Sequence, residues 1–146
     1  MTRSSMKPIG AGIAAILCSV ALTIELSAAP PKVTNPDLTK GEKPFEETSF
    51  NVGPTGFRGW VFSKGTDSSE SRQILVKSVD TNAPADGILL VGDVILGADG
   101  TGAAGAPPAF RADARRTIAD AITAAEARDP ATLTLLRWRD GETSTV

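Results

Sequence analysis

Two glycine clusters and one serine–lysine pair are the segments whose residue types could do chemistry. Gly100-Thr101-Gly102-Ala103-Ala104-Gly105 has the G-x-G-x-x-G spacing of a dinucleotide site and follows a predicted strand. That chemistry needs a helix that opens inside the motif and aims its N-terminal amides at the pyrophosphate. Pro107 and Pro108 stand where those donors would be, and the acidic residue about 20 positions on falls within a helical pattern instead of ending a second strand. The run reads as a loop, and no cofactor is expected. The second cluster, Gly53-Pro54-Thr55-Gly56-Phe57-Arg58-Gly59-Trp60, lacks the Lys-Ser/Thr of a phosphate loop. It could hold an anion on successive backbone N–H groups as it enters a strand, or it could be a tight turn that needs positive φ. Ser63 and Lys64 are adjacent and so do not converge as a Ser-Lys nucleophile pair.

The chain of 146 residues contains no histidine, which removes Ser-His-Asp and Cys-His nucleophile systems and the commonest zinc ligand. No metal site and no enzymatic activity are expected. Fifteen Lys and Arg stand against 17 Asp and Glu, scattered along the chain, so there is no basic stripe for nucleic acid.

The elements that must position any site are mostly strands. Trp60-Val61-Phe62 is a short strand-forming run, and Gln73 to Val79 is the clearest strand, stopped by Asp80 to Asp86 with Pro84 inside. Ile88 to Val91 and Val94 to Leu96 are short apolar pieces around Gly92-Asp93. From about Phe110 to Ala127 the pattern is helical, with Ala114, Ile118, Ile122 and Ala125 recurring at spacings of four and three. Thr132 to Trp138 is a second strand, and Asp140-Gly141 is a hairpin signal leading into Glu142 to Val146. Strands, one amphipathic helix and a closing hairpin predict an α+β, mainly β domain over residues 48–146.

Arg3 and Lys7 precede an apolar run, Ile9 to Ile24, that ends in Ser27-Ala28-Ala29. This is the layout of a secretory signal peptide over residues 1–29, with an uncleaved anchor as the alternative. The mature N-terminus is expected between Ala29 and Pro31, and Cys18, the only cysteine, would leave with the signal. An exported protein, periplasmic or extracellular, with no membrane contact beyond that signal, is the expectation. Residues 30–47, rich in Pro, Lys, Asp, Glu and Thr, read as a disordered linker.

The run Ile74 to Asp99, with its Ala83-Pro84-Ala85 turn and Gly92-Asp93-Val94-Ile95, resembles the central segment of bacterial PDZ domains. The helix at Asp113 to Ile118 and the strand Thr132 to Arg139 follow in that family's order. Pro36 to Gly41, Gly53 to Trp60 and Leu136-Arg137-Trp138-Arg139 are similar to the N-terminal PDZ-like module of large exported bacterial proteins of unassigned function. By that likeness the chain is the front piece of something longer, or a truncated relative. The resemblance implies a partly open antiparallel barrel or sheet capped by one long and one short helix. It also implies a noncatalytic module, monomeric, that binds a peptide or protein C-terminus by strand addition between the second strand and the long helix.

Mapped onto this chain, the N–H groups of Arg58, Gly59 and Trp60 would hold the carboxylate, with Gly59 allowing close backbone approach. A register one residue earlier would put Phe57 at the apolar second position of that loop and lose the glycine at the third. Val61 and Phe62 would offer the sheet edge, and Ala114, Ile118 and Ala121 would line the groove from the helix or serve as core. The alternatives are an interaction or spacer domain of a larger exported protein without free-peptide binding, or a regulatory domain of a protease by fold analogy.

Overall fold

The computed structural model describes residues 33–64 and 69–146. The chain divides into a unit Met1–Pro31 and a unit Lys32–Val146, and the second is the one described. The expected signal over 1–29, including Cys18, lies outside the described residues.

The second unit is a mixed α+β fold, mainly an antiparallel sheet that does not close. Its strands are β1 (Phe50–Asn51), β2 (Phe57–Val61), β3 (Ile74–Val79), β4 (Val94–Asp99), β5 (Thr134–Arg139) and β6 (Glu142–Thr145), with one helix, α1 (Ala114–Glu126), between β4 and β5. Each strand pairs with its neighbours in chain order, β1 to β6. The β5–β6 turn has positive φ at both Asp140 (51°) and Gly141 (90°), the backbone that lets a two-residue hairpin match strand twist. Asp113 caps α1, its carboxylate accepting from the Arg116 N–H at 3.3 Å.

Alternation along the strands gives the sheet two apolar faces. On the inner face Phe57, Val61, Ile74, Val76, Ile95, Ala98 and Leu135 pack against Ala114, Ile118 and Ala121 of α1. Two glycines set how closely that layer sits. A Cβ on Gly100 would collide with the carbonyl oxygen of Ala121, and one on Gly97 with that of Pro108. The first glycine of the G-x-G-x-x-G run is therefore a helix-packing position.

The outer face holds Trp60, Phe62 and Val94, with Leu75, Leu96 and Trp138 at its margin. Leu38 covers it, only 5% exposed. This corrects the expected linker over 30–47, because its described part is fastened to the sheet. The Leu38 N–H donates to Gln73 Oε1 at 2.7 Å, and Gln73 Nε2 donates to Asp37 Oδ1 at 3.0 Å. Phe45 meets Trp60 and Phe62 edge-on at 5.8 and 6.1 Å, and Lys77 Nζ reaches Glu47 at 2.7 Å. Hydrogen bonds from Gln73 and Thr39, and then Lys40, hold the Asp37 carboxyl well below the usual carboxylate range. Composition argued for disorder, but one buried leucine and a polar latch on Gln73 order the segment.

The short helical pieces among the described residues are the three-residue 3-10 turns Leu38–Lys40 and Gly53–Thr55, and α1 is the one α-helix there. Thr81 to Ile88 is a run of turns in which Asn82 (62°) and Gly87 (74°) have positive φ and Pro84 lacks an N–H. The second strand begins at Phe57, ahead of the expected Trp60, so the glycine-rich loop is shorter and ends at Gly56.

Candidate functional site

The residues expected to form a carboxylate loop and groove are in the structure but play other parts. Arg58 and Gly59 lie within β2, paired with Ser78 and Val76 of β3 on one side and with Asn51 and Phe50 of β1 on the other. A loop of unengaged amides therefore does not exist at these two positions. The Arg58 guanidinium is turned to Ser49, donating to its Oγ at 3.2 Å and its carbonyl at 3.0 Å. Gly59 does allow close approach, but of a core side chain, since a Cβ there would strike Ile74 Cγ2.

Trp60 and Phe62 are buried on the outer face, and Val61, Ala114, Ile118 and Ala121 are buried on the inner one. The helix positions pack in the inner core cluster. A small depression of about 190 Å³ still brings Gly59, Trp60 and Val61 beside Arg115, Ser49 and Glu46 at the end of β2.

The larger opening lies elsewhere, a cleft of about 410 Å³ over the inner-face core. One wall is the loop ahead of β2, with Pro54, Thr55 and the side chain of Phe57. A second is the turn between β3 and β4, with Pro84, Ala85, Ile88 and Leu89. Ile122, Ala125 and Glu126 from the last turn of α1 form the third, and Leu133, Leu135 and Val146 close the far side. The volume falls in the range of small-ligand pockets, about 300–1,000 Å³.

The walls are held by backbone bonds. The Ala85 N–H donates to the Thr55 carbonyl at 3.0 Å, and the Asp80 N–H to the Gly56 carbonyl at 2.8 Å. Gly56, at φ 75°, lies against the Ala83 methyl with no room for a Cβ. Thr55 Oγ1 donates to the Val52 carbonyl at 2.8 Å, so this polar liner is already engaged. Loop and turn thus form one stapled rim.

Beside the cleft the turn displays Ile88, Leu90 and Val91, which are 48, 54 and 69% exposed. It is clamped from beneath. Arg139 holds the buried Asp93 with Nε at 2.6 Å and Nη2 at 2.7 Å, and Asp93 Oδ2 accepts from the Leu90 N–H at 2.8 Å. Arg137 Nη1 and Arg139 Nη2 both donate to the Ile88 carbonyl, at 3.0 and 3.2 Å. Burial works to raise the Asp93 carboxyl, but the bonds from Arg139 and Leu90 and the charges of Arg139 and Arg137 outweigh it and leave it lowered. The apolar side chains are therefore held out into solvent by a fixed backbone.

Sequence reasoning missed this cleft because its liners come from five separate stretches that only the fold brings together. One signal was present, an apolar run Ile88-Leu89-Leu90-Val91 between glycines where a polar turn belongs. Only Leu89 of that run is buried. No protein-family model, curated protein or solved structure matches the chain.

Proposed function

We propose that the described unit is a noncatalytic peptide-binding module of PDZ-like design, carried on an exported protein, that takes an apolar side chain of its partner in the cleft beside the last turn of α1. The observation that carries this reading is the preformed apolar cleft with Ile88, Leu90 and Val91 exposed along its rim. Burying one Leu or Phe side chain there supplies about 1.5–3 kcal/mol. A micromolar complex needs about 8 kcal/mol, so the partner must also cover the rim. Capture of a free C-terminus by strand addition on β2 would first have to displace β1 from Arg58 and Gly59.

A second reading, an interaction or spacer domain with no free-peptide binding, draws on that same pairing and on the burial of Ala114, Ile118 and Ala121. Titrating the ¹⁵N-labelled chain with short Leu- and Phe-containing peptides separates the two. Shifts confined to the amides of Thr55, Ile88, Leu89 and Leu133 are expected. A panel in which no peptide moves those resonances would leave the spacer ahead. For export, N-terminal sequencing of secreted material should start between Ala29 and Pro31, and recovery of intact Met1 from a membrane fraction would overturn cleavage.

A further inference from the structure

We infer that the cleft selects peptides in which the apolar anchor stands beside a lysine or arginine, with Glu126 as the residue that reads the positive charge. This inference rests on the cleft reading and names the ligand class for it. Among the fourteen residues that line the cleft, Glu126 is the one with an ionisable side chain. It is exposed and makes no ion pair or hydrogen bond among the described residues, so its carboxylate is available to a ligand.

The helix end adds to it. Glu126 is the last residue of a thirteen-residue helix that carries no basic residue in its last turn. The C-terminal end of a helix bears partial negative charge on carbonyls that lack intrahelical donors, and it attracts cations. The arginine side chains nearby in sequence or sheet are not among the cleft's liners. Arg128 lies against Gly102, Arg139 is paired with Asp93, and Arg137 donates to Ile88 and Ser144. Carboxylate and helix end therefore place negative potential at one lip of an apolar cavity, while no cation lines it. A free peptide C-terminus finds no counter-charge among the liners and is repelled by Glu126. The favoured occupant is a peptide segment of another protein with a large aliphatic or aromatic side chain in the cleft and a cationic side chain within a few residues, toward α1.

The test uses the full chain and three end-blocked peptides, acetyl-Ala-Leu-Phe-X-Ala-amide with X as Lys, Gln or Glu. Binding is followed by fluorescence anisotropy of labelled copies at low and high salt. The Lys peptide should bind about two- to fivefold more tightly than the Gln peptide, the range of an exposed ion pair with a helix-end contribution, and the Glu peptide more weakly than both. High salt should compress the series. Glu126→Gln should erase the difference and Glu126→Lys should invert it. Both sit at an exposed helix end, so the fold survives them. Ile88→Ser should weaken all three peptides alike. If the peptides bind with no dependence on X, or Glu126→Lys leaves the order unchanged, charge selection is overturned and the cleft reading stands. If none binds, or Ile88→Ser has no effect on binding, the cleft reading itself falls.

Discussion

The two faces of the sheet are covered by different means, and the difference explains where a ligand can go. The inner face is closed by a regular helix whose backbone comes close at Gly100, while the loop ahead of it comes close at Gly97. A straight cylinder on a twisted sheet fits well over the middle and leaves a gap near its end, and the apolar cleft lies beside the last turn of α1. The outer face is covered by a chain segment with a single three-residue turn, Leu38–Lys40. That segment follows the surface, and its polar groups are tied down one at a time by Gln73, Lys77 and Arg58. One cover is apolar and cooperative; the other is polar and assembled from separate bonds.

The largest losses are expected at the helix. Ile118 is 1% exposed among inner-face residues, so Ile118→Asp should unfold the domain and Ile118→Ala should cost about 2–5 kcal/mol by denaturant melts. A loss below about 1 kcal/mol would mean that the helix face is open after all. Gly59→Val belongs with these core changes and is no selective probe of a ligand loop, since its new side chain would press on Ile74.

Next comes the clamp under the exposed turn. Asp93 is 2% exposed while the Arg139 side chain keeps 30% of its surface, so Asp93→Asn should cost about 2–3 kcal/mol, at or below the low end for breaking a fully buried pair. The sign with pH follows from the lowered carboxyl. Its stabilisation is complete above the ordinary value of 3.8 and is lost as pH falls through the lower folded value. The protection of the Leu90 amide, its exchange taken relative to the intrinsic rate at each pH, should therefore fall on acidification below about pH 4 in the parent. In Asp93→Asn that protection should be low and flat across that range; equal pH dependence of protection in both would show that another group controls the turn.

The smallest effects belong to the outer cover. Leu38→Ala should cost about 2 kcal/mol, the low end for a buried leucine, because the segment can peel away without opening the inner core. Trp60, 1% exposed, should then shift its emission to the red, while protection of β4 and α1 amides is kept. Asp37→Ala, which removes the acceptor for Thr39 and Gln73, should cost about 1 kcal/mol. Global unfolding by either change would mean that the two faces are one cooperative unit.

Much of the frame was legible from local signals. The β5–β6 hairpin, α1 and β3 each announced themselves through a turn dipeptide or a period of apolar residues, and each stands within a few positions of its reading. The fastened segment over 33–49 was not legible, because its order comes from a residue 35 positions away, Gln73, and composition is blind to such partners. The start of β2 was hidden by its glycines, which suggested a loop. Pairing with β1 and β3 overrides that local preference, and Gly59 is retained where Ile74 needs room. The candidate site was the least legible part. Its walls meet only after the fold forms, and the residues given roles from resemblance are buried, except Arg58 on the surface.

Strand order has a consequence for how quickly the domain can form. Because the order in the sheet is the order in the chain, every pairing joins segments that are consecutive along the sequence. The entropic cost of closing each connection grows only with the logarithm of its length. The longest connection, between β4 and β5, holds α1, which shortens its effective reach by forming locally. A chain arriving unfolded from one end can therefore add each strand to the one before it, with no strand left waiting for a late sheet partner. Among β-rich domains of this size, such sequence-local pairing places folding toward the faster end of the range.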